Sequence, residues 1–206
     1  NYIFPIITLP YLVRVLGPEK YGLVSFAAAF TAYFTIITDY GFNLSATQEI
    51  SINRNDKKRV AEIFSSVFTL KMLFFVLSSL IFFVVVYLVP QFREHQLLFF
   101  VTFLAVLGTA FFPLWFFQGI EKMNYILIIT VSVRLIITVL IFVLIQTEND
   151  FIKLAGLNTA AQLVIGFTGL MIVLNKFQIK YIFPKISLLK LQIQNGWNLF
   201  LSTVWI

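Results

Sequence analysis

Cysteine is absent from the 206 residues and histidine occurs once, as His95. The first absence excludes a disulfide framework and thiolate metal sites. The second leaves no cluster of imidazoles to hold a metal, and no His, Asp and Glu set converges for metal-assisted hydrolysis. No Gly-rich phosphate cradle of the Walker type occurs, so ATP is not used by this chain itself and no cofactor is called for. Charge is scarce too, at 12% of residues against 60% hydrophobic. Soluble domains carry about 25% charged and about 45–50% apolar residues. What is plentiful is phenylalanine, at 25 residues, in a chain of mean hydropathy +0.93. A water-soluble fold has too little interior for so many apolar side chains, so the solvent is lipid.

A bilayer core needs about 20 apolar residues per helix. Such runs cover Asn1 to Leu16, Tyr21 to about Phe42, Ile63 to Val89, Leu97 to Gln118, Tyr125 to Gln146 and Leu154 to Leu174, and another starts near Gly196. They are continuous and long, whereas barrel strands alternate and are short. The expected fold is therefore an all-α integral membrane bundle of about six transmembrane helices plus the start of a seventh. Residues 1–192 form the bundle, its first helix truncated, and 193–206 open a second lobe. Asn1 and Ile206 both fall inside apolar stretches, which predicts a chain that continues at either end.

The net charge of +6 need not imply nucleic acid, because its distribution reads as topology. One set of connectors (Ser51 to Val60, Gly119 to Asn124, Lys176 to Lys190) holds nine Lys and Arg. The alternate set (Gly17 to Lys20, Pro90 to Gln96, Thr147 to Lys153) holds three. The positive-inside rule puts the first set, and by parity the N-terminus, in the cytoplasm. A patch for anionic membrane lipids is the alternative reading of the same lysines. Small residues predict helix contacts at Ala27-Ala28-Ala29 with Thr31 and Ala32, at Gly108-Thr109-Ala110, and at Gly156 with Ala160. Pro5, Pro10 and Pro113 predict kinks.

Three cations and one carboxylate remain inside the apolar runs: Arg14, Lys71, Arg134 and Asp39. Each ionised group costs at least about 2.5–3.5 kcal/mol at the bilayer centre, so each is a candidate functional residue. Asp39 lies 18 residues after Tyr21, and Lys71 lies 18 residues before Val89. Both therefore sit roughly 27 Å from the same boundary, which predicts either an ion pair or two side chains snorkelling separately to the headgroups. Arg134 is roughly 15–18 Å from either edge, with no acidic residue at that depth. It faces water, carbonyls, a carboxylate elsewhere in the protein, or a phosphate-bearing substrate, which its planar fork matches bidentately. Arg14 is close enough to the outer end of its helix to snorkel. Glu62 and Glu121 occupy helix ends, where carboxylates are ordinary.

Four blocks resemble one family. Pro10-Tyr11-Leu12-Val13-Arg14-Val15-Leu16-Gly17-Pro18-Glu19-Lys20-Tyr21-Gly22 looks like the start of the Wzx-type polysaccharide (O-antigen) flippases of the multidrug/oligosaccharidyl-lipid/polysaccharide exporter superfamily. Asp39-Tyr40-Gly41-Phe42-Asn43-Leu44-Ser45-Ala46-Thr47-Gln48-Glu49-Ile50 is similar to that family's stretch at the end of the second helix, with Arg54 and Asp56 in the basic loop that follows. Pro113-Leu114-Trp115-Phe116-Phe117-Gln118-Gly119-Ile120-Glu121-Lys122-Met123 and Gly196-Trp197-Asn198-Leu199-Phe200-Leu201-Ser202 complete the series in the expected order.

The resemblance implies the N-terminal lobe of a twelve- to fourteen-helix transporter, two bundles facing each other across a cavity. It implies a non-enzymatic flippase of the bacterial inner membrane. Its substrate would be an undecaprenyl-diphosphate-linked oligosaccharide, moved by alternating access for O-antigen, capsule or exopolysaccharide assembly. The partners would be membrane lipids and the glycan polymerase and chain-length machinery, with Arg134, Lys71, Arg14 and Asp39 as substrate-binding charges of the lumen. Two rivals stay open. A multidrug or cation antiporter of the same superfamily would need more intramembrane carboxylates than Asp39. A membrane-embedded glycan polymerase or ligase would show a large outer loop.

Overall fold

A computed structural model of the chain describes the backbone of residues 3–204 and the side chains of residue 4 and residues 6–197. The side chain of Pro5 and those from Asn198 to Ser202 lie outside the described residues. The described chain is helical almost throughout. It comprises α1 (Ile3–Asp39), α2 (Phe42–Asn53), α3 (Lys57–Leu88), α4 (Pro90–Glu94), α5 (Gln96–Phe111), α6 (Leu114–Gly119), α7 (Met123–Leu144), α8 (Phe151–Asn175) and α9 (Ile186–Val204).

The first two apolar runs join at Gly17, whose φ of 74° and ψ of 161° break α1 into two arms. Only glycine adopts that conformation readily, and Pro18 starts the second arm where no amide donor is needed. Residues 4–12 and 21–35 then line one cavity, so the chain folds back on itself at this point. Counting both arms, the five stretches long and apolar enough to cross a bilayer supply six apolar segments.

Three boundaries differ from the sequence reading. The stretch expected to end the second span is a helix of its own, α2, set off by left-handed Tyr40 (φ 43°) and Gly41 (φ 75°). The expected loop over Ser51 to Val60 shrinks to residues 54–56, because Asp56 caps α3 by accepting from the Lys58 and Arg59 amides at 3.0 Å. Helix α9 starts at Ile186 rather than near Gly196. The kink expected at Pro113 is present and separates α5 from α6, as its missing donor and rigid ring require.

Burial sorts into two levels. Phe42, Phe64, Trp115, Phe116 and Phe117 belong to one cluster with Ile129, Ile165 and Val173. Leu16, Val24, Phe34, Phe82, Phe99 and Phe103 belong to the other with Ile141 and Leu154. Successive helices contribute opposite ends to each cluster, as antiparallel neighbours must. The three basic connectors therefore gather at the first level, here the basic end, and the alternate set at the second, the far end.

Helices α5 and α8 make the closest crossing. A Cβ on Gly108 would lie 2.5 Å from the backbone carbonyl of Gln162, and one on Gly166 would overlap the carbonyl of Gly108. Without side chains the two backbones touch, which in lipid supplies the packing that holds helices together. The expected contact through Gly156 and Ala160 is absent: Ala160 is exposed and a Cβ on Gly156 meets nothing within 4 Å. Helical spacing says that two residues share a face, not what that face meets. Gly166→Ala is expected to cost about 1–3 kcal/mol through overpacking. The measurement is the thermal midpoint of the detergent-solubilised protein, and Gly156→Ala should leave that midpoint where it was.

Candidate functional site

One cavity, of about 600 Å³, is walled by both arms of α1 and by α5, α7 and α8. Its hydroxyls are mostly tied back to the backbone. Thr102 donates to the Leu98 carbonyl at 2.8 Å and Thr138 to that of Arg134 at 2.8 Å. Thr159 reaches across from α8 to the Val101 carbonyl of α5 at 2.9 Å. These bonds use the hydroxyl protons and leave oxygen lone pairs available. Among the described residues Arg134 is the one charged side chain in the lining, and no carboxylate lines it.

Arg134 is half-buried on α7, ten residues before Leu144. That places it about 15 Å inside the helix end. Among the described residues its side chain makes no ion pair and no hydrogen bond. A guanidinium at such depth holds its charge only against water, dipoles or an anion, and the cavity admits all three.

Asp39 and Lys71 form the ion pair that their matched depth suggested, with Lys71 Nζ 2.7 Å from Asp39 Oδ1. The Lys71 side chain is 1% exposed and that of Asp39 is 26% exposed. Two further partners were not foreseen. Asn43 Nδ2 donates to Asp39 Oδ2 at 3.1 Å, and Lys71 Nζ donates to the Thr109 carbonyl at 3.4 Å. Thr109 itself lines the cavity, so the ammonium lies directly behind its wall. The pair and Arg134 are thus adjacent but not joined. Arg14 stands apart from them, exposed on the first arm of α1 and outside the cavity lining.

The neutral polar lining escaped the sequence reading altogether. Ser25, Thr35, Asn158 and Gln162 face the cavity and make no side-chain hydrogen bond among the described residues. Attention to charges inside apolar runs passes over such residues. The i, i+4 spacing of Asn158 and Gln162, which sets both on one helical face, was the available signal.

The basic end carries a second polar assembly. Arg59 bridges Glu49 (3.1 Å) and Glu62 (3.2 Å), Gln192 of α9 donates to Glu49 at 2.5 Å, and Arg54 pairs with Glu121 at 2.6 Å. The two carboxylates read as ordinary helix-end residues are therefore both engaged in ties between elements or turns. Two hydrogen bonds fix the segment before α9, from the Ile182 amide to Ser65 Oγ at 2.9 Å and between the Tyr181 and Thr69 hydroxyls at 2.8 Å.

An all-α, multi-pass membrane bundle with a half-open cavity, lined by hydroxyls, amides and, among the described residues, one unpaired cation, is what these elements define. The chain belongs to the polysaccharide biosynthesis protein family, which matches residues 1–206. It is 32% identical over 203 residues to a protein of Escherichia coli (strain K12) named "Putative O-antigen transporter", covering 98% of this chain and 49% of that one. A protein of Shigella dysenteriae with the same name is 27% identical over 204 residues, covering 98% of this chain and 50% of that one. The chain thus spans about half the length of these curated relatives. No solved structure matches it.

Proposed function

We propose that this chain forms one helical lobe of a flippase that carries an undecaprenyl-diphosphate-linked oligosaccharide across the bacterial inner membrane by alternating access. The observation that carries the reading is Arg134, a guanidinium without a partner among the described residues, about 15 Å from the end of α7 and in the lining of the cavity. A diphosphate offers that fork the bidentate, charge-assisted partner it lacks among the described residues. The alternative of a cation or drug antiporter fits less well, because a lining with one positive and no negative charge repels a cationic solute. The names of the two relatives point the same way. The polymerase and chain-length machinery that would receive the glycan are part of the same proposal.

The orientation follows from the nine-to-three bias of Lys and Arg toward the basic end, which faces the cytoplasm in this reading. Single cysteines at Lys58 and Lys185 should then react with a membrane-impermeant maleimide only from the cytoplasmic side, and one at Glu94 only from outside. Labelling of Lys58 and Glu94 from the same side would contradict the helix assignment.

The function itself is tested in a strain deleted for the protein. Lipid-linked repeat units should accumulate there, accessible to a glycan-modifying enzyme only from the cytoplasmic leaflet, and surface glycan should disappear until the gene is restored. Undiminished surface glycan in a strain lacking both this gene and any second family member would overturn the proposal.

A further inference from the structure

We propose that Asn158 and Gln162 form a subsite for the neutral sugar next to the diphosphate, so that the cavity reads carbohydrate as well as charge. The inference rests on the reading of Arg134 given above and extends it to a part of the ligand that Arg134 cannot recognise.

The geometry comes from two antiparallel neighbours. Gln162 lies eleven residues into α8 from Phe151, and Arg134 ten residues from the end of α7 at Leu144. At about 1.5 Å per residue both lie some 15–17 Å from the far end, at one level of the bundle. Asn158 and Thr138 each sit one turn nearer the far end, and all four line the same cavity. An anionic group held by Arg134 therefore has Gln162 beside it and Asn158 toward the far end. Gly108 fixes that side of the cavity, because its missing Cβ lets α5 approach the Gln162 backbone directly.

The chemistry of the lining separates a sugar from other neutral ligands. A primary amide offers two donors and a carbonyl acceptor, the set that vicinal hydroxyls or an acetamido group satisfy in both directions. Arg134 offers donors only, so it selects the phosphate and is indifferent to the sugar. The amides of Asn158 and Gln162 are unpaired among the described residues. Thr31, 4% exposed and in the same lining, has a hydroxyl with no partner. Thr31 is buried and carries a desolvation cost that a ligand removes by bonding to it, whereas Asn158 is exposed and Gln162 half-buried, so their amides are open to a ligand in the cavity. At about 600 Å³ the cavity falls within the roughly 300–1,000 Å³ typical of ligand sites. That is room for a headgroup and its first sugar rather than for a long glycan.

The test uses the protein expressed from its complete reading frame, purified into nanodiscs, and two probes. These are undecaprenyl diphosphate and the same lipid carrying one N-acetylhexosamine. The wild type should bind the glycosylated probe more tightly, by roughly five- to tenfold for each amide that gains a hydrogen-bonded partner. Asn158→Leu and Gln162→Met keep side-chain volume and remove the amides, and in combination they should bring the ratio of the two affinities to about one. Equal affinities in the wild type, or a preserved ratio in the double variant, overturns the subsite. A parallel fall for both probes also overturns it, since the amides would then serve the diphosphate or the fold. Arg134→Ala separates the two levels of the argument. If it leaves binding of the bare diphosphate intact, the reading of Arg134 fails; if it loses both probes while the amide variant loses only the ratio, both readings stand.

Discussion

Arg134→Ala is expected to abolish export of the glycan repeat while the protein reaches the membrane in normal amounts. The cavity around Arg134 would then have no charge in its lining, and a diphosphate entering it would be desolvated with nothing to offset the loss. Arg134→Lys keeps the charge and loses the planar fork, so a partial defect follows. Arg134→Gln keeps polarity without charge and should behave like alanine. Surface glycan and membrane abundance, measured in the same cells, separate a ligand contact from a structural one. Full export by a stably inserted Arg134→Gln protein would end the assignment. So would loss of the Arg134→Ala protein from the membrane together with its rescue by neutralising a distant carboxylate, which would make Arg134 half of a folding ion pair.

The second large effect is asymmetric. Asp39→Asn strands an ammonium whose side chain is 1% exposed, whereas Lys71→Met strands a carboxylate that is 26% exposed and still bonded to Asn43. Breaking a buried pair costs about 3–5 kcal/mol because one charge is left uncompensated. Asp39→Asn should lie toward the upper end of that range, and Lys71→Met below it. The double variant should recover much of the loss, since no charge is then buried. Thermal midpoints of the four purified proteins give the coupling directly. Additive losses would show that the two residues act separately, despite the 2.7 Å contact.

The spans and the ion pair were legible because both depend on one-dimensional quantities: run length, and residues counted from a boundary. Asp39 and Lys71 match in depth, and depth is nearly all that two adjacent antiparallel helices need to bring side chains together. Family membership was legible in the ordered blocks from Pro10 to Gly22, Asp39 to Ile50 and Pro113 to Met123, which the match over residues 1–206 supports. Lateral facing was not legible. Gly108 and Gly156 look alike as small residues in apolar runs, yet a Cβ on the first would run into a neighbouring backbone and one on the second would meet nothing within 4 Å. Helix α2 was missed because its start depends on two consecutive left-handed residues, and Tyr40 carries no sequence mark of that conformation. The amides of Asn158 and Gln162 went unnoticed because a neutral side chain costs little in an apolar run and raises no question there.

The polar ties described above are unevenly placed, and that has a mechanical meaning. Arg54–Glu121, the Arg59–Glu49–Gln192 knot, and the Ser65 and Thr69 bonds all bind elements together at or near the basic end. At the far end fewer polar ties join the helices, from the Tyr11 hydroxyl to the Ile145 carbonyl at 2.7 Å and from Thr159 to the Val101 carbonyl, and ring packing such as Phe82 on Phe103 at 4.0 Å and Phe92 on Phe99 at 4.7 Å supplies the rest. Rings slide and re-pack over small displacements, while a charge-assisted hydrogen bond weakens steeply once its geometry is lost. The bundle is therefore a sheaf bound more firmly near one end than the other. Its stems are freer to splay where the ties are fewer, and the cavity lined by Arg134 lies among those stems.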